Sequence, residues 1–296
     1  MAANSLSEGK QQELLLKERK ANSAWRKLCR NKSAVLGLIM IAFVLLVSIF
    51  GPFLMSRDPA AMDFLKINAK PGTEGFLLGS DNLGRDMLTR LVYGGRVSLL
   101  VGFVSTAMGL VIGTICGLLA AYYPKLDNPI MRVMDLLFTF PSILLAMLII
   151  AMLGVNAFNT MLAISVWSIP SFARMVRGRA LQVKEEDYVM ATRSLGAKDS
   201  RILFIHILKN CLPVIIVTAT MRIASSIISI STLSYLGMGV TPPMPEWGDM
   251  ISAGKEYLWN RPSLTFIPGI TVMVTVICFN ILGDKLRDIL DPSLKD

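Results

Sequence analysis

The sequence predicts an all-α integral membrane protein with six transmembrane helices and both termini on the cytoplasmic side. Three observations carry that reading. Hydrophobic residues make up 53% of the 296 and charged residues only 17%, with a mean hydropathy of +0.55. A soluble domain carries about a quarter charged residues. The apolar residues gather in uncharged runs long enough to cross the hydrocarbon core, which takes about 20 helical residues. The basic residues, in turn, gather in two stretches instead of spreading along the chain.

The spans follow in order. Residues 33–56 are uncharged over 24 positions and residues 97–123 over 27. Residues 136–173 are uncharged over 38, enough for two spans if the chain turns near Gly154-Val155-Asn156. Residues 211–236 are interrupted only by Arg222, and residues 262–283 give a sixth run of 22. The expected domains are a cytoplasmic N-terminal segment (1–32), a six-helix domain (33–283) and a cytoplasmic tail (284–296). Outer loops are expected at 57–96 and 237–261, with a cytoplasmic loop at 174–210.

Charge sets the orientation. Residues 1–32 carry eight basic and three acidic side chains, and residues 174–209 carry eight and four. These stretches supply the whole net charge of +9. Lys and Arg collect on the cytoplasmic side, so both stretches belong there, and an even span count satisfies both. The charge is therefore a membrane signature, and no aromatic-interleaved basic face points to nucleic acid. The N-terminus does not read as a cleavable signal, because more than thirty largely polar residues precede the first apolar run.

Within this frame several local features carry expectations. Gly109, Gly113 and Gly117 recur every four residues on one helical face and predict close helix packing. Pro141 and Pro170 are candidate kinks. Leu83, Met87, Leu88, Leu91 and Val92 share a helical face, with Arg85, Asp86 and Arg90 away from it, which predicts a surface amphipathic helix. Trp247, Tyr257 and Trp259 are expected at the membrane interface. The isolated cysteines Cys29, Cys116, Cys211 and Cys278 read as packing residues.

The chemistry of energy coupling is missing from the chain. The nearest approach to a phosphate-binding loop, Gly248 to Lys255, has five intervening residues where the loop needs four, followed by Glu256 in place of Ser or Thr. No acidic pair sits within a span, as an ion-coupled carrier working alone would require. His206 has no second His or Cys nearby and reads as a surface helix position. Asn31-Lys32-Ser33 matches a glycosylation sequon on the wrong side of the membrane. No catalytic residue and no metal or cofactor site is predicted. Energy must come from another subunit.

The stretch 184–209 predicts how. Glu185 to Gly196 reads as a short helix, with acids in the first turn, Arg193 in the last and glycine closing it. A second short helix is expected from Lys198 or Asp199 to Lys209. The pair would form a projecting knob. This segment resembles the EAA loop of ABC-transporter permeases: Glu-Ala-Ala, three residues, Gly, nine residues, then Ile-x-Leu-Pro. The matching positions are Met190-Ala191-Thr192, Gly196 and Ile207-Leu208-Lys209-Asn210. Met190, Thr192 and Lys209 depart from the pattern.

Other motifs agree. Leu78-Gly-Ser-Asp-Asn-Leu-Gly-Arg-Asp86 with Arg96-Val-Ser98, Leu233-Ser-Tyr-Leu-Gly-Met-Gly-Val-Thr-Pro-Pro243 with Glu246-Trp-Gly248, and Phe279 through Pro292 are similar to peptide- and nickel-type permeases. The similarity is to the subunit usually called the C component, and it covers roughly residues 25–294 in order.

The resemblance implies a permease of the type I ABC importer kind in a bacterial inner membrane. It also implies the partners: a homologous second permease, two ABC ATPase subunits that use ATP and Mg, and an extracytoplasmic substrate-binding protein. The expected ATPase contact is Val189, Met190, Ala191, Thr192 and Leu195, with Glu186 and Arg193 at the rim and Gly196 ending the helix. Di- and oligopeptides are the first substrate reading; nickel or a metal chelate is the second.

Arg222 is the only charge inside a span. As the twelfth residue of its run it lies about 16 Å deep, near the bilayer centre. A lipid-facing arginine there costs at least about 2.5–3.5 kcal/mol, so it should face protein or water. Two roles stay open: a lock to helix carbonyls or an amide such as Asn280, and a lining of the translocation path for a carboxylate-bearing substrate.

Overall fold

The computed structural model describes residues 28–290. Most of the N-terminal segment 1–32 and the last six residues of the tail lie outside the described residues. Helix α1 spans Lys32–Leu54 and is capped by Asn31, whose side chain accepts from the Ser33 and Ala34 amides. The sequon asparagine is thus a helix cap. Helix α2 spans Met87–Tyr122, 36 residues or about 54 Å. Helices α3 (Pro124–Thr139) and α4 (Ser142–Leu153) follow, then α5 (Ala157–Lys184) and α6 (Asp187–Ser194). The continuous helix α7 (Asp199–Tyr235), the short α8 (Trp247–Gly254) and α9 (Ser263–Leu290) complete the chain.

All described regular structure is helical. Among the described residues four helices, α1, α2, α7 and α9, are individually long and apolar enough to cross a membrane. The expected third span is instead a broken pair: α3 and α4 meet at 94°. Proline explains the break, since Pro141 has no amide to donate and disfavours helical geometry in the residue before it. The turn at Gly154-Val155-Asn156 lies where the sequence places it. Gly154 adopts φ +92°, and the Asn156 side chain accepts from the Asn159 amide to start α5. Helix α5 is long but carries Arg174, Arg177, Arg179 and Lys184 in its second half.

The glycine stripe of α2 meets α5. A Cβ on Gly109 would lie 2.6 Å from Ser168 Oγ; on Gly113, 2.6 Å from the Ile169 carbonyl oxygen; on Gly117, 2.5 Å from that of Ala173. Those helices touch backbone to backbone, which only glycine permits.

Three expectations are corrected. The surface amphipathic helix does not exist separately: Met87 to Val92 form the first turns of α2, and Arg85, Asp86 and Arg90 are buried. Asp86 caps α2 by accepting from the Thr89 amide, and Arg85 pairs with Asp81 in the preceding turn. Arg90 reaches Asp81 and also Asp249 far along the chain, a partner that helical periodicity cannot reveal. The second half of the knob does not end at Lys209. It is the start of α7 itself, which continues through a π-helical stretch, Ile202–Ile207, to Tyr235. Residues 284–290 of the tail continue α9.

Helix α7 is rich in hydroxyls, and many bond their own helix. Thr218, Thr220, Ser225, Ser229 and Thr232 each donate to the carbonyl four residues back, at 2.8–3.2 Å.

Candidate coupling helix, cavity and outer knot

Helix α6 projects at the end of the bundle where α2 finishes. Its C-terminus is a complete Schellman motif. Gly196 sits at φ +80°, its amide donates to the Arg193 carbonyl at 3.0 Å, and the Ala197 amide reaches the Thr192 carbonyl at 3.3 Å. A Cβ on Gly196 would meet nothing within 4 Å, so the demand for glycine is one of backbone angle alone.

The predicted contact residues separate into two groups. Leu195 is 88% exposed and Met190 48%, and Glu186 and Ala191 are also exposed. Val189 is 3% exposed and packs with Leu118, Tyr122, Val176 and Ile202. It holds the helix onto the bundle and does not enter a partner's cleft. At eight residues, α6 shows the bundle only a narrow face, and Val189 supplies it. Thr192 spends its hydroxyl on the Tyr188 carbonyl at 2.7 Å. The Arg193 guanidinium, though exposed, lies 5.9 Å from the Tyr122 ring centre.

Sequence reasoning missed Tyr188. Its hydroxyl accepts from the Asn210 side chain at 2.9 Å, and its ring lies 6.3 Å from that of His206. Burial, followed by the charge of Glu186, raises its pKa. The histidine, expected at a surface helix position, is half-buried in the π-helical stretch.

A cavity of about 710 Å³ opens between α5, α7 and α9. Arg222 lies in its wall, together with Arg174, Arg179 and Arg287, and among the described residues no acidic side chain lines it. Arg222 donates to Ser171 Oγ and stacks 4.9 Å from the Trp167 ring centre. Its partner is therefore a hydroxyl and an aromatic face on α5, not Asn280. Both anchors are neutral, so they hold the guanidinium in place without neutralising it. Arg174 pairs with Asp135 at 2.6 Å, and Arg177 makes a two-pronged bond to Asp127 at 2.5 Å, fastening α3 to α5.

At the other end of α2 sits a buried ionic knot. Arg90, whose side chain is 2% exposed, lies 3.4 Å from Asp81 and 3.6 Å from Asp249, and donates to the Pro59 carbonyl at 3.2 Å. Arg85 binds the same Asp81 carboxylate at 2.7 Å. Glu246 is fully buried, accepting from Ser98 Oγ at 2.7 Å and from the Asp249 amide at 3.0 Å. Trp247, expected at the membrane interface, is instead 1% exposed, and its indole donates to the Leu91 carbonyl at 2.9 Å. Gly94 and Gly95 make room for it, since a Cβ on either would approach its ring to 3.0–3.2 Å. Trp259 is exposed.

Comparison with known proteins supports one family throughout. Residues 109–296 match the binding-protein-dependent transport system inner membrane component, and residues 21–71 match the N-terminal TM domain of oligopeptide transport permease C. The dipeptide transport system permease of Alkalihalophilus pseudofirmus is 41% identical over 92% of this chain and 90% of its own length. The di/tripeptide permease of Pseudomonas aeruginosa is 39% identical over 92% of each chain. The glutathione transport permease of Pectobacterium atrosepticum is 41% identical, covering 92% of this chain and 90% of that one. In fold, the chain is similar to the inward-facing methionine ABC transporter MetNI, with a TM-score of 0.57 and 21% identity over 69% of this chain and 97% of that one. The chain belongs to the binding-protein-dependent transport system inner membrane components, within the oligopeptide and dipeptide ABC permeases.

Proposed function

We propose that this chain forms half of the translocation path of a bacterial importer for di- and oligopeptides. The observation that carries the substrate is the set of relatives at 39–41% identity over nearly the whole chain, named for dipeptides, di/tripeptides and glutathione. The chain is a transport permease and not an enzyme; hydrolysis belongs to partner subunits. The partners are a homologous permease, two ATPases using ATP and Mg, and an extracytoplasmic binding protein. The complete transporter in proteoliposomes should take up labelled dipeptide when ATP is inside. Uptake of Ni²⁺ with no peptide uptake would overturn the substrate.

The reading includes six crossings of the bacterial inner membrane, with α3 and α4 together making the third. A reporter fused after Lys70 or Ser252 should register outside, and one after Lys198 inside. A cytoplasmic signal at Lys70 would invert the charge asymmetry and sink the topology.

The exposed face of α6, with Met190, Ala191, Leu195 and Glu186, is the ATPase contact. Closure of the ATPases moves it as a rigid body and tips the bundle. Gly196→Val must strain a left-handed position, at about 1–3 kcal/mol. The variant should reach the membrane and bind its ATPases, yet hydrolyse ATP with little uptake. Normal uptake at normal expression would contradict the assignment.

The cavity holding Arg222 is the cytoplasmic part of the path. Its cationic wall suits the carboxylate that every unmodified peptide carries. Arg222→Gln keeps a hydrogen-bonding group for Ser171 and removes the charge. Assembly and thermal stability should persist while uptake falls or selectivity changes. If Arg222→Gln transports normally and Arg222→Leu fails to assemble, the arginine is a lock.

A further inference from the structure

Three chain segments flank or include the coupling helix, and all three close on one ring. Tyr122, the last residue of α2, is 6% exposed. Its hydroxyl donates to Asp199 Oδ1 at 2.6 Å, and that of the next residue, Tyr123, donates to Oδ2 at 3.3 Å. Asp199 is the first residue of α7. From the segment before the coupling helix, the Lys184 ammonium lies 5.8 Å from the Tyr122 ring centre and donates to the Ala121 and Tyr122 carbonyls at 3.3 and 3.4 Å. From the coupling helix itself comes Arg193, 5.9 Å from the same ring. The two tyrosine rings meet edge to face at 5.0 Å.

Both oxygens of one carboxylate are therefore occupied by hydroxyls from a single helix end, and cations from α5 and α6 approach the ring of the first tyrosine. Burial and the Asp199 charge raise the Tyr123 pKa, which keeps that hydroxyl protonated and donating at neutral pH. Charged groups acting on neutral donors make stronger bonds than neutral pairs. Helix α2 then continues, in one unbroken run, to Arg90, Gly94 and Ser98 at the knot with α8.

We infer that the Tyr122–Asp199 clasp is the positioning contact through which displacement of the coupling helix enters α2 and reaches the α8 end of the bundle. The inference deepens the proposed role of α6 and rests on it. Tyr122 and Asp199 touch neither nucleotide nor substrate in this scheme; they act by making α6 and α2 move together.

The test uses the complete transporter in proteoliposomes, with ATP hydrolysis and dipeptide uptake measured in the same vesicles. Tyr122→Phe keeps the ring and removes the hydroxyl; Asp199→Ala removes both acceptors. Each should still co-purify with the ATPases, while uptake per ATP falls at least about fivefold, the low end of ordinary coupling between sites. Asp199→Asn, which keeps one oxygen for Tyr122, should retain most of the ratio. An unchanged ratio in Tyr122→Phe and Asp199→Ala, or hydrolysis and uptake falling in equal proportion, would overturn the clasp. Leu195→Asp separates the two levels. If it releases the ATPases while Tyr122→Phe couples normally, the clasp alone fails. If it leaves ATPases bound and coupled, the α6 contact itself is wrong, and the clasp loses its input.

Discussion

Replacing Arg90 with leucine should cost about 3–5 kcal/mol, the range for leaving part of a buried ion cluster without its counter-charge. The guanidinium joins three segments that nothing in the sequence brings together: Pro59 in the first loop, Asp81 in the turn before α2, and Asp249 on α8. Leucine fills part of the volume and none of the charge. Asp81 keeps Arg85 as a partner. Asp249 does not fare as well. Burial already raises its pKa, and Arg90 is the first of the charges that pull it back. Without Arg90 that pKa rises further, so the folded state holds a proton that the unfolded chain releases. Stability of the variant should therefore increase as pH falls from neutral through the raised value. Thermal unfolding of the solubilised complex at about pH 7 and about pH 5 reads this directly. A variant with wild-type Tm at both would show that the knot contributes nothing.

Gly113→Val should be comparably severe for a different reason. Its first side-chain atom would lie 2.6 Å from both the Ile169 carbonyl oxygen and Phe172 Cβ, and 3.1 Å from the Ala173 amide nitrogen. Backbone atoms cannot rotate away. Overpacking a yielding core costs about 1–3 kcal/mol, and here the whole α2–α5 contact must separate. The expected result is loss of the protein from the membrane. Gly269→Ala, on α9 with nothing within 4 Å of its added atom, is the matched control and should accumulate normally. Equal accumulation of both variants would mean that the helices are not held at this distance.

What the sequence reveals here follows how local each cause is. The glycine stripe, the turn at Gly154 and the glycine ending α6 are written in residue type and spacing, because each answers a steric demand that only a residue without a side chain meets. Arg90 misleads a periodicity argument because its partners include Asp249, far along the chain. The same holds for Trp247, whose burial depends on Gly94 and Gly95. The run 136–173 shows its charge-free length and a candidate kink at Pro141 but not that the bend reaches 94°, since the preceding helix is amphipathic and begins before the run does. In the candidate site, Leu195 and Met190 are exposed as the pattern suggests, whereas Val189 faces inward because a short helix needs one residue to anchor it. Tyr122, Tyr123 and Asp199 carry no motif. Only their meeting in space gives them a role.

The hydroxyls of α7 have a consequence for the height of the barrier to motion. Five of them are satisfied by carbonyls of their own helix. A polar group bonded across to a neighbour must break that bond before the neighbour can leave, and in hydrocarbon it has no water to turn to. A group bonded within its own helix travels with its partner. Helix α7 can therefore exchange neighbours, rotate or slide with those donors satisfied throughout. Those five hydroxyls impose little preference between two packings. The polar bonds that must be exchanged are those that cross to other helices, such as Arg222 with Ser171 and Ser226 with Thr106, and a bias from a ligand or partner acts against those.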